Sequence, residues 1–271
     1  DCLGLALDVW NEVEAVPGVL ADDDRVNLIL RAARATYDLV GAAYPGFELT
    51  CTNRIRFNRG LGSSAAAIAC GVLLANRCLG DPLDESALLE LATRVEGHPD
   101  NVAPCLLGGV RVALRTGSGR VLQARVPLAM SLSVVCFVPE MPIPTPHARG
   151  LLPATVSLAD AVFNVARSSL LVAALASGRG DLLAEATLDR LHQPFRLPLF
   201  PAGATLLEAS MLAGALGSFI SGAGPTVMAL CADDAHAESV AAAFESTADR
   251  LGVAGITIRP ALTERGAHVV I

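Results

Sequence analysis

What this chain has little of narrows its function before any motif is read. It has no basic run, and 20 basic against 27 acidic residues leave a formal charge of −7, which excludes an electrostatic grip on nucleic acid. It has no long apolar run: the longest unbroken one, 65–75, holds 11 residues with Gly71 included, too few to cross a bilayer. No signal-peptide pattern stands at its start. Its cysteines, Cys2, Cys51, Cys70, Cys78, Cys105, Cys136 and Cys231, form no C-x-x-C pair and have no histidine at metal-ligand spacing. Scattered through apolar stretches, they read as reduced, buried thiols of a cytoplasmic protein. There is no internal repeat and no low-complexity segment. Hydrophobic residues are plentiful instead, at 52% of 271, enough for a substantial core in one large or two modest domains.

The most informative segment is Gly60-Leu61-Gly62-Ser63-Ser64-Ala65-Ala66, which opens an apolar helical stretch. Small residues let backbone approach a ligand, and the free N–H groups and positive dipole end of a helix favour an anion, typically phosphate. No Gly-Lys-Ser/Thr follows, so this is not a Walker A loop. The string fits G-x-G-x-x-A, with Asp81 19 residues after Gly62. A dinucleotide loop, however, follows directly on an apolar strand, and here 52–59 is a polar, alternating segment. The plain alternative is a helix N-terminus of small residues packed in a core.

Periodicity predicts strands at 3–13, 47–57, 108–114 and 131–138, and helices at 24–43 and 63–79, with another running from Asp81-Pro82 to Gly97. The stretch 139–153 carries Pro139, Pro142, Pro144, Pro146 and Pro153. It reads as holding neither helix nor central strand and as the best domain boundary, giving domains 1–150 and 151–271. Beyond it, helices are expected at 157–176, 181–191, 204–216 and 235–251, and strands at 218–220, 227–231, 253–259 and 268–271. The alternation after 204 suits an α+β sandwich.

Three further segments carry a resemblance. Residues 96–109 read Glu-Gly-His-Pro-Asp-Asn-Val-Ala-Pro-Cys-Leu-Leu-Gly-Gly, residues 221–230 read Ser-Gly-Ala-Gly-Pro-Thr-Val-Met-Ala-Leu, and the chain opens Asp-Cys-Leu-Gly-Leu-Ala-Leu-Asp. With Arg59 to Ser64 these resemble the GHMP small-molecule kinases, in their homoserine kinase branch. The family's opening motif, Asn-Leu-Gly-x-Gly-Phe-Asp, is represented here by its last residue, Asp1, so a strand is expected upstream. Arg56 stands where the family has proline. The resemblance implies an α/β (α+β) GHMP kinase fold. Its N-terminal domain, ribosomal-protein-S5-like with a left-handed crossover, binds ATP, and its C-terminal domain is ferredoxin-like. It implies ATP-dependent phosphorylation of the L-homoserine hydroxyl in threonine biosynthesis, with ATP and Mg2+, in a cytoplasmic homodimer. Another family kinase, for mevalonate or a sugar, and a non-catalytic nucleotide-binding homologue remain alternatives.

The resemblance assigns Gly60, Leu61, Gly62, Ser63, Ser64 and Ala65, with Arg59, to ATP. Asn27 matches a position near the base, though an Asn at a helix start is as readily a cap. Ser63 and Glu96 map onto the metal, with Glu90 as the substitute acid. One carboxylate suffices, because magnesium keeps several waters. Asp100, in a Pro-Asp-Asn turn between a helix end and a strand, is the catalytic candidate, either as base or as a group that only positions substrate; Asn101 or Asp100 could equally cap that turn. His98 reads as structural. Homoserine needs an acid for its amine and a bidentate donor for its carboxylate. Asp1, Asp100, Thr145, Arg149 and Arg196 match the family's substrate positions, both arginines being expected in loops. Ser221, Gly222 and Gly224 belong to a loop that packs against the phosphate loop in the family and shapes the site.

Overall fold

The protein is described from a computed structural model that covers residues 3–18 and 27–270. It divides into two compact units. The first takes the chain up to Ile55, Gly62–Arg125 and the chain from Thr263; the second takes Arg56–Leu61 and Val126–Leu262. The 150/151 boundary expected from the prolines falls inside the second unit.

In the first unit, β1 (Leu3–Leu5), β4 (Val110–Arg115) and β5 (Val121–Arg125) form an antiparallel sheet in the order β1-β4-β5, while β2 (Glu12–Pro17) pairs, among the described residues, only with β3 (Phe47–Thr52). The single strand expected over 3–13 is therefore two strands in two sheets. The chain changes partner between them, and β3 stops at Thr52 for a related reason: the Asn11 side chain takes the Arg54 and Ile55 amides at 2.8 and 3.0 Å, in place of a strand partner.

Helix α1 (Leu28–Val40) ends on Gly41, and α2 (Ser63–Cys78) starts where the small-residue loop ends. Helix α3 (Glu85–Glu96) begins later than the Asp81-Pro82 signal because Asp84 caps it, its Oδ1 accepting from the Ala87 amide at 2.8 Å. A short helix absent from the sequence reading, α4 (Val102–Leu107), precedes β4. The core joins Ala65, Ile68, Ala69 and Val72 of α2 to Leu88 and Leu91 of α3, Val102 of α4, Ala113 and Val121. This packing fixes the start of α2 beside the end of α3.

The second unit is a four-stranded antiparallel sheet of β6 (Ser133–Pro139), β7 (Gly217–Ile220), β8 (Val227–Cys231) and β9 (Gly255–Ile258), in the order β7-β8-β6-β9. Between β6 and β7 come α5 (Thr145–Gly150), α6 (Leu158–Ser177), α7 (Leu183–Ala186), α8 (Gln193–Arg196) and α9 (Ala202–Leu212), and α10 (Asp234–Leu251) joins β8 to β9. A helix between the first two strands, a hairpin, a helix and a last strand beside the first is the ferredoxin-like arrangement. Helices α9 and α10 cover the sheet with Leu206, Val240 and Phe244, all 0% exposed.

Three expectations fail locally. The proline-rich stretch does hold a helix, α5, because proline is tolerated in a first helical turn. The helix expected over 181–191 ends at Ala186, since Asp189 takes the following amides. Residues 268–270 form no strand, and Ile271 lies outside the described residues. One helix among the described residues, Leu158–Ser177, is long and apolar enough by length and composition to cross a membrane, although Asp160 and Arg167 interrupt its apolar run.

Candidate active site

The chain passes from the second unit to the first between Leu61 and Gly62, so the site residues fall into two sets, each built within its own unit.

In the first unit the chemistry gathers at the head of α2. Gly62 caps that helix in the left-handed conformation, φ 71°, and the first helical bond runs from the Ala66 amide to the Gly62 carbonyl at 3.0 Å. The amides of Ser63, Ser64 and Ala65 are thus those that a helix leaves without an internal acceptor, at its positive end. Ser64 Oγ donates to Glu96 Oε1 at 2.5 Å. Glu96 ends α3 with a side chain 8% exposed. The hydroxyl that reaches the metal-acid candidate is therefore that of Ser64, whereas the sequence pointed to Ser63, the first residue of the helix.

His98 stands between two carboxylates. Its Nε2 lies 3.7 Å from Glu96 Oε1, and its Nδ1 bonds to Asp100 Oδ1. Asp100 Oδ1 also accepts the Asn101 amide at 2.9 Å. The turn that carries Asp100 leads into α4 rather than straight into a strand, and the Ala103 amide closes it on the Pro99 carbonyl at 2.8 Å. Burial raises the Asp100 carboxyl, the His98 ring leads the groups that oppose it, and the net shift is below the ordinary carboxylate value. Asp100 is ionised at neutral pH. Desolvation, with Cys70 and Glu96 beside it, pushes the half-buried Cys105 thiol up to about 12, so it is an inert thiol. His98, read from sequence as structural, is the link between the two acids.

Asn27 caps α1: its Oδ1 accepts from the Ile29 and Leu30 amides at 2.9 and 3.4 Å. Asp1 lies outside the described residues.

In the second unit the two glycine loops are stitched together. Ser221 Oγ donates to the Gly60 carbonyl at 2.7 Å, and the Thr226 amide reaches the Arg59 carbonyl at 3.2 Å. Gly60 has φ 79°, and a Cβ there would collide with the Ser221 carbonyl oxygen and come within 3.0 Å of the Gly224 carbonyl oxygen. Only glycine fits. The Arg59 guanidinium is taken by backbone carbonyls, Nε to Pro139 at 2.8 Å, Nη1 to Phe57 at 2.7 Å and Nη2 to Glu140, so it braces the loop.

Arg196 closes α8 and is not in a loop; its Nη1 donates to the Gly222 carbonyl at 2.6 Å and lies 3.3 Å from His192 Nδ1. It thus joins the Ser221–Gly224 loop. Burial pushes the His192 imidazole down and Arg196 adds to this, against Asp189. Two residues the sequence reading missed hold α8. Asp189 accepts the His192 and Gln193 amides at 2.8 and 2.5 Å, and buried Gln193 accepts the Ile220 amide at 2.9 Å. An Asp ahead of a Gln-Pro pair is a capping signal that could have found the first. Thr145 and Arg149, four apart on α5, share a helix face, with Arg149 exposed. The Ile143 amide bonds to the Asn58 carbonyl at 3.0 Å, which ties this segment to the residue before Arg59.

Every one of the 20 basic residues is an arginine. Any side-chain cation offered to a carboxylate or phosphate is therefore the planar, bidentate guanidinium rather than a point charge. Among the described residues, no group of three or more His, Cys, Asp and Glu side chains is placed to hold a metal ion. A hard cation that keeps waters and shares phosphate oxygens fits what is present, one carboxylate and one hydroxyl at the head of α2.

The N-terminal domain of the GHMP kinases matches residues 27–109, and their C-terminal domain matches residues 171–250. The fold and these matches define the class: the chain belongs to the GHMP kinase family, with its ribosomal-protein-S5-like and ferredoxin-like domains. Similar proteins within it are homoserine kinases. That of Streptomyces avermitilis is 45% identical over 257 residues, covering 89% of this chain and 83% of its own. That of Streptomyces coelicolor is 42% identical over 283 residues, covering 97% and 90%. The crystal structure of homoserine kinase from Cytophaga hutchinsonii superimposes with a TM-score of 0.89 at 28% identity, covering 99% of this chain and 91% of its own.

Proposed function

We propose that this protein transfers the terminal phosphoryl group of ATP to the side-chain hydroxyl of L-homoserine, giving ADP and O-phospho-L-homoserine. The observation that carries the reading is the line Ser64–Glu96–His98–Asp100 at the head of α2, in a chain whose relatives are homoserine kinases.

Phosphoryl transfer asks a protein to place its reactants and neutralise charge. The amides of Ser63, Ser64 and Ala65, with the loop from Gly60 to Gly62, receive the phosphates, and Arg59 serves them by bracing that loop. Glu96 and a serine hydroxyl, Ser64 by geometry and Ser63 by family pattern, would hold Mg2+. The ion supplies neutralisation of the phosphate oxygens. Asp100 accepts a hydrogen bond from the homoserine hydroxyl and aims its oxygen in line with the bond between the terminal phosphorus and the bridging oxygen of ADP. As the new O–P bond forms, that bond breaks and ADP leaves, while the hydroxyl proton moves to Asp100 or to a phosphoryl oxygen. Asp100 serves either as the base for that proton or as the group that only orients the hydroxyl. Arg149 and Arg196 would take the substrate carboxylate, Thr145 would add a hydroxyl, and Asp1 with Asp100 would face the amine. Asn27 would face the nucleotide base, and Ser221, Gly222 and Gly224 would shape the site.

The same reading carries a place in threonine biosynthesis, a cytoplasmic homodimer, and no nucleic-acid or membrane partner. Its support is the family resemblance, the net charge of −7 and the free cysteines among the described residues. A coupled ADP-release assay with ATP and magnesium tests it, comparing L-homoserine with mevalonate, galactose and L-threonine. Turnover with homoserine alone is expected, and Arg149→Ala should raise KM for homoserine about tenfold or more. Nucleotide binding without turnover on any substrate would refute the kinase reading.

A further inference from the structure

The His192 imidazole meets Arg196 on one side and Asp189 on the other. His192 stands at the head of α8, but its side chain makes no capping bond there. The Asp189 carboxylate takes that role, accepting the Leu191, His192 and Gln193 amides at 3.1, 2.8 and 2.5 Å. Four residues on from His192, Arg196 Nη1 lies 3.3 Å from His192 Nδ1. Arginine carries donors and no acceptor, so the ring nitrogen accepts. Accepting at Nδ1 puts the ring proton on Nε2, the atom that faces Asp189 Oδ2 at 3.9 Å. At that distance the carboxylate is a charge beside the N–H rather than a hydrogen-bond partner, and it favours this tautomer. The Asp189 side chain is 7% exposed and is itself held by Asn164 of α6 at 2.6 Å. Burial, the strongest influence on the ring, acts with Arg196 against Asp189 and pushes the imidazole below its ordinary value, so it is neutral at pH 7. Arg196 Nη1 donates as well to the Gly222 carbonyl at 2.6 Å.

We propose that His192 is a positioning residue for the substrate: as a neutral acceptor, its Nδ1 holds the Arg196 guanidinium in the plane from which that group takes the carboxylate of an amino-acid substrate. The role rests on the preceding reading of Arg196 as a carboxylate ligand. A guanidinium held at one nitrogen by one partner still swings about that contact. Held at Nη1 from two directions, by a backbone carbonyl and by a ring, its plane is set, and bidentate recognition of a carboxylate depends on that plane. Support passes from Asn164 to Asp189, from Asp189 to the His192 ring, and from the ring to Arg196, so each side chain is fixed by the one behind it. A charged ring would present an N–H to the guanidinium in place of a lone pair and set cation against cation. A histidine that served only the fold of this segment would cap α8 or fill the core. This ring does neither, being 37% exposed and away from the helix amides.

A double-variant cycle in steady-state kinetics, at saturating ATP and magnesium, tests the role. His192→Ala should raise KM for L-homoserine about tenfold, with kcat and KM for ATP changed less than about twofold. His192→Asn, whose Oδ1 offers an acceptor close to the position of Nδ1, should return KM to within about threefold of wild type. His192 acts through Arg196, so His192→Ala added to Arg196→Ala should raise KM no further. Arg196→Met, which keeps the aliphatic stem, serves in the cycle where Arg196→Ala misfolds. Calorimetry of L-homoserine binding repeats the cycle without turnover. A wild type that binds homoserine in this pattern and releases no ADP would refute the kinase reading and leave the positioning role standing. A His192→Ala variant with the wild-type KM, a His192→Asn variant as weak as His192→Ala, or losses that add in the double variant would overturn the role and leave the kinase reading intact. Neither binding nor turnover of homoserine by the wild type would overturn both.

Discussion

Replacing Gly60 by alanine tests how tightly the two glycine loops are joined. The residue sits at φ 79°, where a Cβ costs about 1–2 kcal/mol through its clash with the neighbouring carbonyl. That Cβ would also collide with the Ser221 carbonyl oxygen and press on Gly224, both of them backbone that cannot rotate aside. Relief requires the loops to part, which stretches the 2.7 Å bond from Ser221 Oγ to the Gly60 carbonyl, another 0.5–1.5 kcal/mol by order of magnitude. The sum is about 1.5–3.5 kcal/mol, and for a chain of this size it lowers Tm by roughly 3–14 °C. Thermal unfolding followed by circular dichroism reads the shift, with Gly117→Ala as control, because a Cβ at Gly117 meets nothing within 4 Å. Gly117→Ala should stay within about 1 °C of the parent. Gly60→Ala should also raise KM for ATP, since the same movement displaces the amides that follow. A Gly60→Ala variant as stable as Gly117→Ala would refute the claim that the loops are locked by backbone contact.

Other perturbations follow from single contacts. Burial raises the Asp189 carboxyl, but His192, the α8 amides and Asn164 together more than offset it, and the carboxyl lies below the ordinary value. Its contribution is therefore present above the unfolded pKa of about 3.9 and is lost as pH falls through the lower folded value. Asp189→Asn should lower Tm at pH 7 and flatten the fall in Tm below pH 4; an unchanged acid limb would contradict the assignment. Phe244, 0% exposed between α10 and the sheet, should cost about 3–5 kcal/mol when cut to alanine, read by urea denaturation. Cys51 and Cys78 are exposed, whereas Cys136 is buried and pushed up to about 12. Iodoacetamide at neutral pH, mapped by mass spectrometry, should label the first two well before Cys136, and equal rates would show that the core opens.

The parts legible in sequence are those governed by local chemistry. Gly62 before Ser63 and Gly80-Asp81-Pro82 after Cys78 bracket α2 by cap and stop signals, and Ser157 and Asp233 do the same for the starts of α6 and α10. The resemblance implies that the Ser221–Thr226 loop packs on the small-residue loop before α2, and Ser221 Oγ donates to the Gly60 carbonyl. The illegible parts depend on long-range partners. Helix α4 is six residues with Pro104 inside it, too short to show a period. Strand β5, Val-Leu-Gln-Ala-Arg, is half polar and earns its place by pairing with β4. Which of two adjacent serines meets Glu96, 32 residues on from Ser64, is set by how α2 and α3 pack, and no spacing rule contains that. His98 reads as a lone histidine until the fold puts Glu96 on one side of its ring and Asp100 on the other.

If the Asp100 turn aims the hydroxyl of an amino acid at ATP, the product is a phosphomonoester of that amino acid. Phosphorus NMR of the protein with ATP, magnesium and L-homoserine should show a phosphomonoester resonance growing in step with ADP, its rate at least about 100-fold lower in Asp100→Ala. ADP released without that resonance, or a phosphomonoester formed equally fast by Asp100→Ala, would show that Asp100 does not aim the hydroxyl.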